Sequence, residues 1–305
     1  MRKHQLLIAF IYSLFCLSCS QRPDTDKLSG GVSPLFIEKS LSPEIAETSG
    51  LACLADGSFF TVNDSGNPAT LFQLDKSGRV IGRTATTGVN QDWEALAIHQ
   101  GQLWIGDIGN NSGQRSTIEL YHAPLPAKPF ENLTLSKIIL RYPHPPMGLP
   151  SHFQHELDAE ALVSTGEQLL LFTKNWVGLQ SAVYLVDTSQ TNTVLKQIGE
   201  TSALPGLITD AAYSFKHNVF VIVGYGNFRL NPLSFMFSGE FAPFLAVLDR
   251  DYRLIKSVPI PSGGQLEALC IDNEQNIWLS QEKSSRQPAQ FWRWGFVESL
   301  LKPTD

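Results

Sequence analysis

One phrase returns five times along the chain. ETSGLACL begins at Glu47, DWEALAIH at Asp92, DAEALVST at Asp158, TDAAYSFK at Thr209 and QLEALCID at Gln265, each a run of small apolar residues led by polar or acidic ones. Across a polar Gly, Asn or Asp turn, each is followed by a strongly apolar stretch: SFFTVND, QLWIGDIGN, QLLLFTKN, NVFVIVGYGN and NIWLSQEK. A third stretch follows in every unit (TLFQLD, TIELYHA, SAVYLVD, FLAVLDR, FWRWGF) and a fourth in the first four (RVIGRTATT, LSKIILRY, TVLKQIGET, RLIKSVPI). Self-similarity of this kind means one supersecondary unit stacked on copies of itself.

The stretches are short, rich in Val, Ile, Leu, Phe and Tyr, and separated by DG, SG, GG and DN turns, which predicts an all-β chain. A unit of roughly 45 to 65 residues with four consecutive antiparallel strands cannot bury both faces alone and must stack radially, as in a β-propeller. Five four-stranded blades are expected; a sixth would fit between Glu94 and Glu160, around YPHPPMGLPSHFQHEL. The fifth unit ends after its third strand, and PLFIEKSL, residues 34–41, is a spare strand at the other end. Closing the last blade with this N-terminal strand removes an open sheet edge. A pair of β-sandwiches would explain the strands but not the recurring phrase.

The first residues, MRKHQLLIAFIYSLFCLSCS, show a basic start (Arg2, Lys3), an apolar run to about Leu17 and a small residue before cysteine, the pattern of an export signal over residues 1–19. Its end resembles a bacterial lipobox, Cys16, Leu17, Ser18 and Cys19, with Cys16 where leucine is usual; ordinary signal cleavage is the alternative. A lipid on Cys19 would anchor the chain in the cell envelope, on the outer-membrane or periplasmic side of a Gram-negative cell, as its sole attachment to a membrane. Residues 20–33 are polar and read as a tether, leaving 34–305 as a single propeller domain. Cys53 and Cys270 are the remaining thiols. Export permits a bridge between them, but aligning the phrases sets them one register apart, so two separate buried thiols are expected. The 23 basic residues are scattered and the net charge is only -6, which argues against nucleic acid as a partner.

In a propeller the start of each first strand and the end of each second strand share one mouth of the central channel. Starting the first strands are Glu47, Asp92, Glu94, Asp158, Glu160, Asp210 and Glu267, taken as metal-ligand candidates. Ending the second strands are Asn63, Asp64, Asp107, Asn110, Asn111, Lys174, Asn175, Tyr225, Glu282 and Lys283, taken as ligand-binding candidates. Strand side chains alternate with period two, so Asp92 with Glu94, and Asp158 with Glu160, point the same way. Carboxylates about 8 Å apart at an effective dielectric near 20 repel by about 2 kcal/mol per pair. A cation, raised pKa values or basic neighbours (Lys174, Lys283, Arg115, Arg286) must answer that. An all-oxygen donor set favours Ca²⁺, then Mg²⁺, over zinc. An acidic solvated channel with structural hydrogen bonds between blades is the plainer alternative.

His144, His152 and His155 with Glu156 read as a surface or lid loop, since their spacing resembles no helical zinc motif. The insertion at 224–240 carries Phe235, Met236 and Phe237, which suit contact with a ligand or partner. No G-x-S-x-G elbow, phosphate-cradling loop or dinucleotide fingerprint is present.

Together ETSGL, NDSG, DWEALA, GDIGNN, DAEAL, TKN and LEAL resemble exported bacterial β-propeller proteins, loosely similar to the phytase-like and SdiA-regulated families. The first similarity implies Ca²⁺ and phosphate-ester hydrolysis, the second Ca²⁺ binding. The expected function is a cell-envelope lipoprotein that binds a ligand or envelope protein, with a divalent cation, at the acidic mouth. A metal-dependent hydrolase using Asp92, Glu94 or Glu160 as general base, and a protein–protein scaffold acting through residues 224–240, are the alternatives.

Overall fold

The computed structural model describes residues 37–126, 132–144, 152–226, 241–262, 264–285 and 287–302. The expected signal, Cys19, the tether, residues 34–36, Arg286 and the insertion tip with Phe235, Met236 and Phe237 lie outside them. The described chain opens with β1 (Ile37–Ser40) and a 3-10 turn, Pro43–Ile45. Blade 1 is β2 (Thr48–Cys53), β3 (Phe59–Asn63), β4 (Thr70–Leu74) and β5 (Val80–Ala85). Blade 2 is β6 (Trp93–His99), β7 (Gln102–Asp107), β8 (Thr117–Pro124) and β9 (Ser136–Arg141). In blade 3, β10 (Asp158–Ser164), β11 (Leu169–Lys174) and β12 (Ala182–Val186) are followed by β13 (Asn192–Val194) and β14 (Lys196–Glu200). Blade 4 is β15 (Leu207–Ser214), β16 (Val219–Gly226), β17 (Ala242–Leu248) and β18 (Leu254–Pro259). The last blade is β19 (Leu266–Ile271), β20 (Asn276–Gln281) and β21 (Gln290–Phe296), completed by β1, with Ile37 opposite Arg293 and Ser40 opposite Gln290.

These five sheets make a five-bladed β-propeller closed by the N-terminal strand, with no sixth sheet among the described residues. The inner strands form a ring, β2 against β6, β6 against β10, β10 against β15, β15 against β19 and β19 against β2. Five apolar clusters each fill one gap between neighbouring blades, as where Trp104, Ile118 and Leu140 of blade 2 meet Leu162, Leu171 and Tyr184 of blade 3. This arrangement explains the two kinds of sequence run. Second strands are covered on both faces, so β11 and β16 are buried throughout; outer strands keep one face in water, so β18 alternates buried-side and exposed residues as LIKSVP.

TVLKQIGET, expected as one fourth strand, divides at Leu195. Residues 192–194 pair in parallel with β9 of blade 2 while 196–200 pair with β12, so one segment straps two blades together. After β21 the chain makes a short helix, α1 (Val297–Leu301), whose Val297 and Leu300 pack on blades 4 and 5.

The inner strand of every blade carries one bulge against its partner, between Ser49 and Leu51, Trp93 and Ala95, Ala159 and Ala161, Ile208 and Asp210, and Leu266 and Ala268. The extra residue is Gly50, Glu94, Glu160, Thr209 and Glu267 in turn. Counting from it puts Cys53 and Cys270 at the same position, three residues on, which corrects the one-register offset read from the sequence. They form a disulfide, Cα to Cα 5.7 Å, between the inner strands of the first and last blades. The phrase at Glu47 carries one more residue ahead of its bulge than the phrase at Gln265, and only the strand pairing reveals it.

Candidate functional site

The bulges sit at the end of the channel where the inner strands begin. A bulge bends its strand and re-aims the extra side chain, here Glu94, Glu160 and Glu267, all buried. Blade 1 has glycine at this position for a steric reason. Gly50 has φ +65, and a β-carbon on it would fall 2.8 Å from the Leu96 nitrogen of the next inner strand. Asp64, from the turn after β3, meets Asp92 and Glu94 instead: each of the three offers a carboxylate oxygen within 4.8 Å of the others, the one such acidic group among the described residues. Ser49 Oγ donates to both the carbonyl (3.0 Å) and Oε2 (3.1 Å) of Glu94. Gly109 closes the back of the group, since a β-carbon there would collide with the carboxylates of Asp92 and Glu94.

Lys174 and Arg115, two of the basic residues of the mouth, are committed elsewhere. Lys174 Nζ lies 2.7 Å from Glu160 Oε1 with both side chains buried, and sits over the rings of Trp176 (5.0 Å) and Tyr225 (5.6 Å). Burial pulls the Lys174 ammonium down, but Glu160, Tyr225, Asp158 and Glu267 outweigh it and hold the group well above the usual lysine range. Arg115 pairs with Asp107 at 2.8 Å and donates to the carbonyls of Gly109 and Asp107.

Burial and mutual repulsion raise the pKa values of the grouped acids. Burial, then the charges of Asp64 and Asp158, push Asp92 up to about 7 against the pull of Arg115. Glu94 is raised well above the carboxylate range by burial and then by Asp64, Glu160 and Asp92. Burial also raises Asp64, despite the backbone hydrogen bond it accepts from Ser65. On the blade 5 side, burial holds Glu267 at about 7 although Lys174 and Gln265 oppose it, and Glu282 is raised well above its range by burial and by Glu267, Asp64 and Glu47.

Other candidates are tied into the scaffold. Asp158 accepts from Asn110 N (2.6 Å) and Trp176 Nε1 (2.7 Å), and Asn110 Nδ2 donates to Leu157 O (2.8 Å), fastening blade 2 to blade 3. Asp107 accepts from the nitrogens of Gln91 and Asp92. Asp210 stands one residue past its bulge, and its two carboxylate oxygens accept from Ala211 N and Leu269 N, both 2.7 Å. Asn63 donates to Glu44 O, Asn175 caps its own turn through Val177 N and Gly178 N, and Glu47 accepts from Asn67. Asn111 offers its carbonyl to His155 Nε2 and Phe153 N, and Lys283 N donates to Ala46 O. His155 Nδ1 accepts from Leu157 N, so both its ring nitrogens are engaged in the loop. Ser49, Gly50 and Gly109 were not legible as site residues; the only signal was that Gly109 stands two residues after Asp107 inside GDIGNN.

The three grouped carboxylates suit a hard cation. All donors are oxygen, no ion pair joins them to a lysine or arginine among the described residues, and at 4.8 Å with an effective dielectric near 20 each ionised pair repels by about 3 kcal/mol. An ion there would exchange bound protons for coordination.

No protein-family model matches the chain, the phytase-like and SdiA-regulated families included, and no curated protein matches it. Among solved structures it is similar to a luciferin-regenerating enzyme at 12% identity and a TM-score of 0.46, over 86% of this chain and 96% of that one. It is similar to a streptogramin B lyase at 12% identity and a TM-score of 0.40, over 86% and 73%. A calcium-binding protein, regucalcin from Agrobacterium tumefaciens str. C58, gives 12% identity and a TM-score of 0.45 over 88% and 98%.

Proposed function

We propose that the acidic mouth binds a divalent cation, calcium in preference to magnesium, through Asp64, Asp92 and Glu94, and that the propeller presents this ion to a ligand as an exported binding module anchored through a lipid on Cys19. The observation that carries cation binding is the trio itself, three carboxylates gathered within 4.8 Å with their pKa values pushed up and Gly109 backing them. Calcium tolerates irregular oxygen shells that include water and carbonyl groups, whereas magnesium demands a near-octahedral one. Calorimetric titration of calcium and magnesium into the metal-stripped full chain at pH 8 tests it. Saturable calcium binding at one site, lost in Asp92→Asn, is the expected result; no heat from either ion would end the proposal.

One observation favours hydrolysis as a second reading. Asp92, held at about 7 and partly open to solvent, is poised to exchange a proton at neutral pH as a general base requires. A bound cation would supply Lewis acidity. Turnover of a phosphoester or lactone panel, abolished in Asp92→Asn, would support it.

A further inference from the structure

The far end of the channel opens into a hollow of about 360 Å³ lined by inner-strand residues of all five blades, among them Leu96, Leu162, Ala211 and Leu269. Cys53 and Cys270 are part of this wall. Their bridge crosses the one gap where the ring is closed by pairing two chain ends. In the other blades the same register position holds Ala97, Val163 and Ala212. Apart from the bridge, blade 1 is held to blade 5 by the four-residue strand β1, by Thr48 Oγ1 to Ser280 Oγ (3.1 Å), by Lys283 N to Ala46 O (2.8 Å) and by apolar packing around Phe59, Trp278 and Phe291. The bridge spans 217 residues of sequence, nearly the whole ring. Cross-linking so distant a pair restricts the open chain more than a local bridge would.

We propose that Cys53–Cys270 is a redox latch on ring closure, opened by a small dithiol that enters the hollow. Cys53 is the half-buried residue of the pair and Cys270 the buried one, so attack is assigned to Cys53. The thiolate of the dithiol bonds to Cys53 Sγ, the Cys53–Cys270 bond breaks, and Cys270 leaves as a thiolate that takes up a proton. The second thiol of the reductant then displaces Cys53, which leaves as a thiol; the protein has gained two electrons and two protons, and the reductant departs as a disulfide. Opening frees the seam between blades 1 and 5, where the ring is closed by β1.

Hydrogen exchange of the folded full chain, before and after dithiothreitol and again after reoxidation, tests the latch. Reduction should speed exchange at least tenfold in β1, β2 and β19 and leave β10 to β12 unchanged, with reoxidation restoring protection. Cys53→Ser/Cys270→Ser should show the fast pattern with or without dithiol. Unchanged or uniformly faster exchange, or no thiol released to dithiothreitol in the folded protein, overturns the proposal whether or not the double variant folds.

Discussion

Replacing Glu94 by glutamine should have opposite effects with and without calcium. Glu94 takes part in two of the three close pairs of the Asp64, Asp92 and Glu94 group. With oxygens 4.8 Å apart and an effective dielectric near 20, each ionised pair costs about 3 kcal/mol, so the variant sheds at most about 6 kcal/mol of repulsion. The raised pKa values mean that proton uptake relieves part of this, and a net gain of about 2 kcal/mol at pH 8 is expected. Ser49 Oγ can still donate to the amide oxygen, and the new amide N–H groups have the Asp64 and Asp92 carboxylates as acceptors. For a domain of this size about 2 kcal/mol corresponds to roughly 4 °C in Tm. In chelator at pH 8 the variant should melt above the wild type. In calcium at 100 times its Kd the wild type should gain about 2.7 kcal/mol and the variant little, so the order should reverse. Differential scanning calorimetry under the two conditions reads both. A variant that melts below the wild type in chelator and shows the same calcium shift would refute the placement of Glu94 in a repulsive, cation-seeking group.

Lys174→Met should destabilise the fold by about 3 to 5 kcal/mol in denaturant titrations because it strands the buried Glu160, and adding Glu160→Gln should recover much of the loss. Asp210→Asn should cost about 1 to 3 kcal/mol, since an amide can accept from only one of Ala211 N and Leu269 N, and should leave calcium affinity unchanged. Asp92 and Glu267, held at about 7, keep protons that the unfolded chain has released, so their stabilising contribution is present below the unfolded pKa values and is lost as pH rises through 7. Thermal melts in chelator should therefore fall between pH 5 and 8, while calcium affinity measured by calorimetry should rise over the same interval.

The periodic part of the molecule is legible in the order of its residues. Five returns of one phrase, each followed by apolar strands, require a radial stack, and the unfinished fifth unit with PLFIEKSL at the other end requires closure by the N-terminus. The recurrence of Glu after a small step also marks Glu94, Glu160 and Glu267, because they occupy the same bulge in three blades. A shift of one residue exchanges the faces of a strand, and shifts of that size were invisible in the text of the chain. In TDAAYSFK the bulge falls on Thr209, which turns Asp210 into a tie between backbones. In ETSGLACL an extra leading residue hid the common register of Cys53 and Cys270. The meeting of Asp64 with Asp92 and Glu94 was likewise decided by tertiary structure alone, since it depends on a turn of one blade reaching the inner strand of the next. Local pattern dictates which strands form and which faces are buried; which carboxylates become neighbours is a matter of angles and approach between blades, and those arise only when the ring closes.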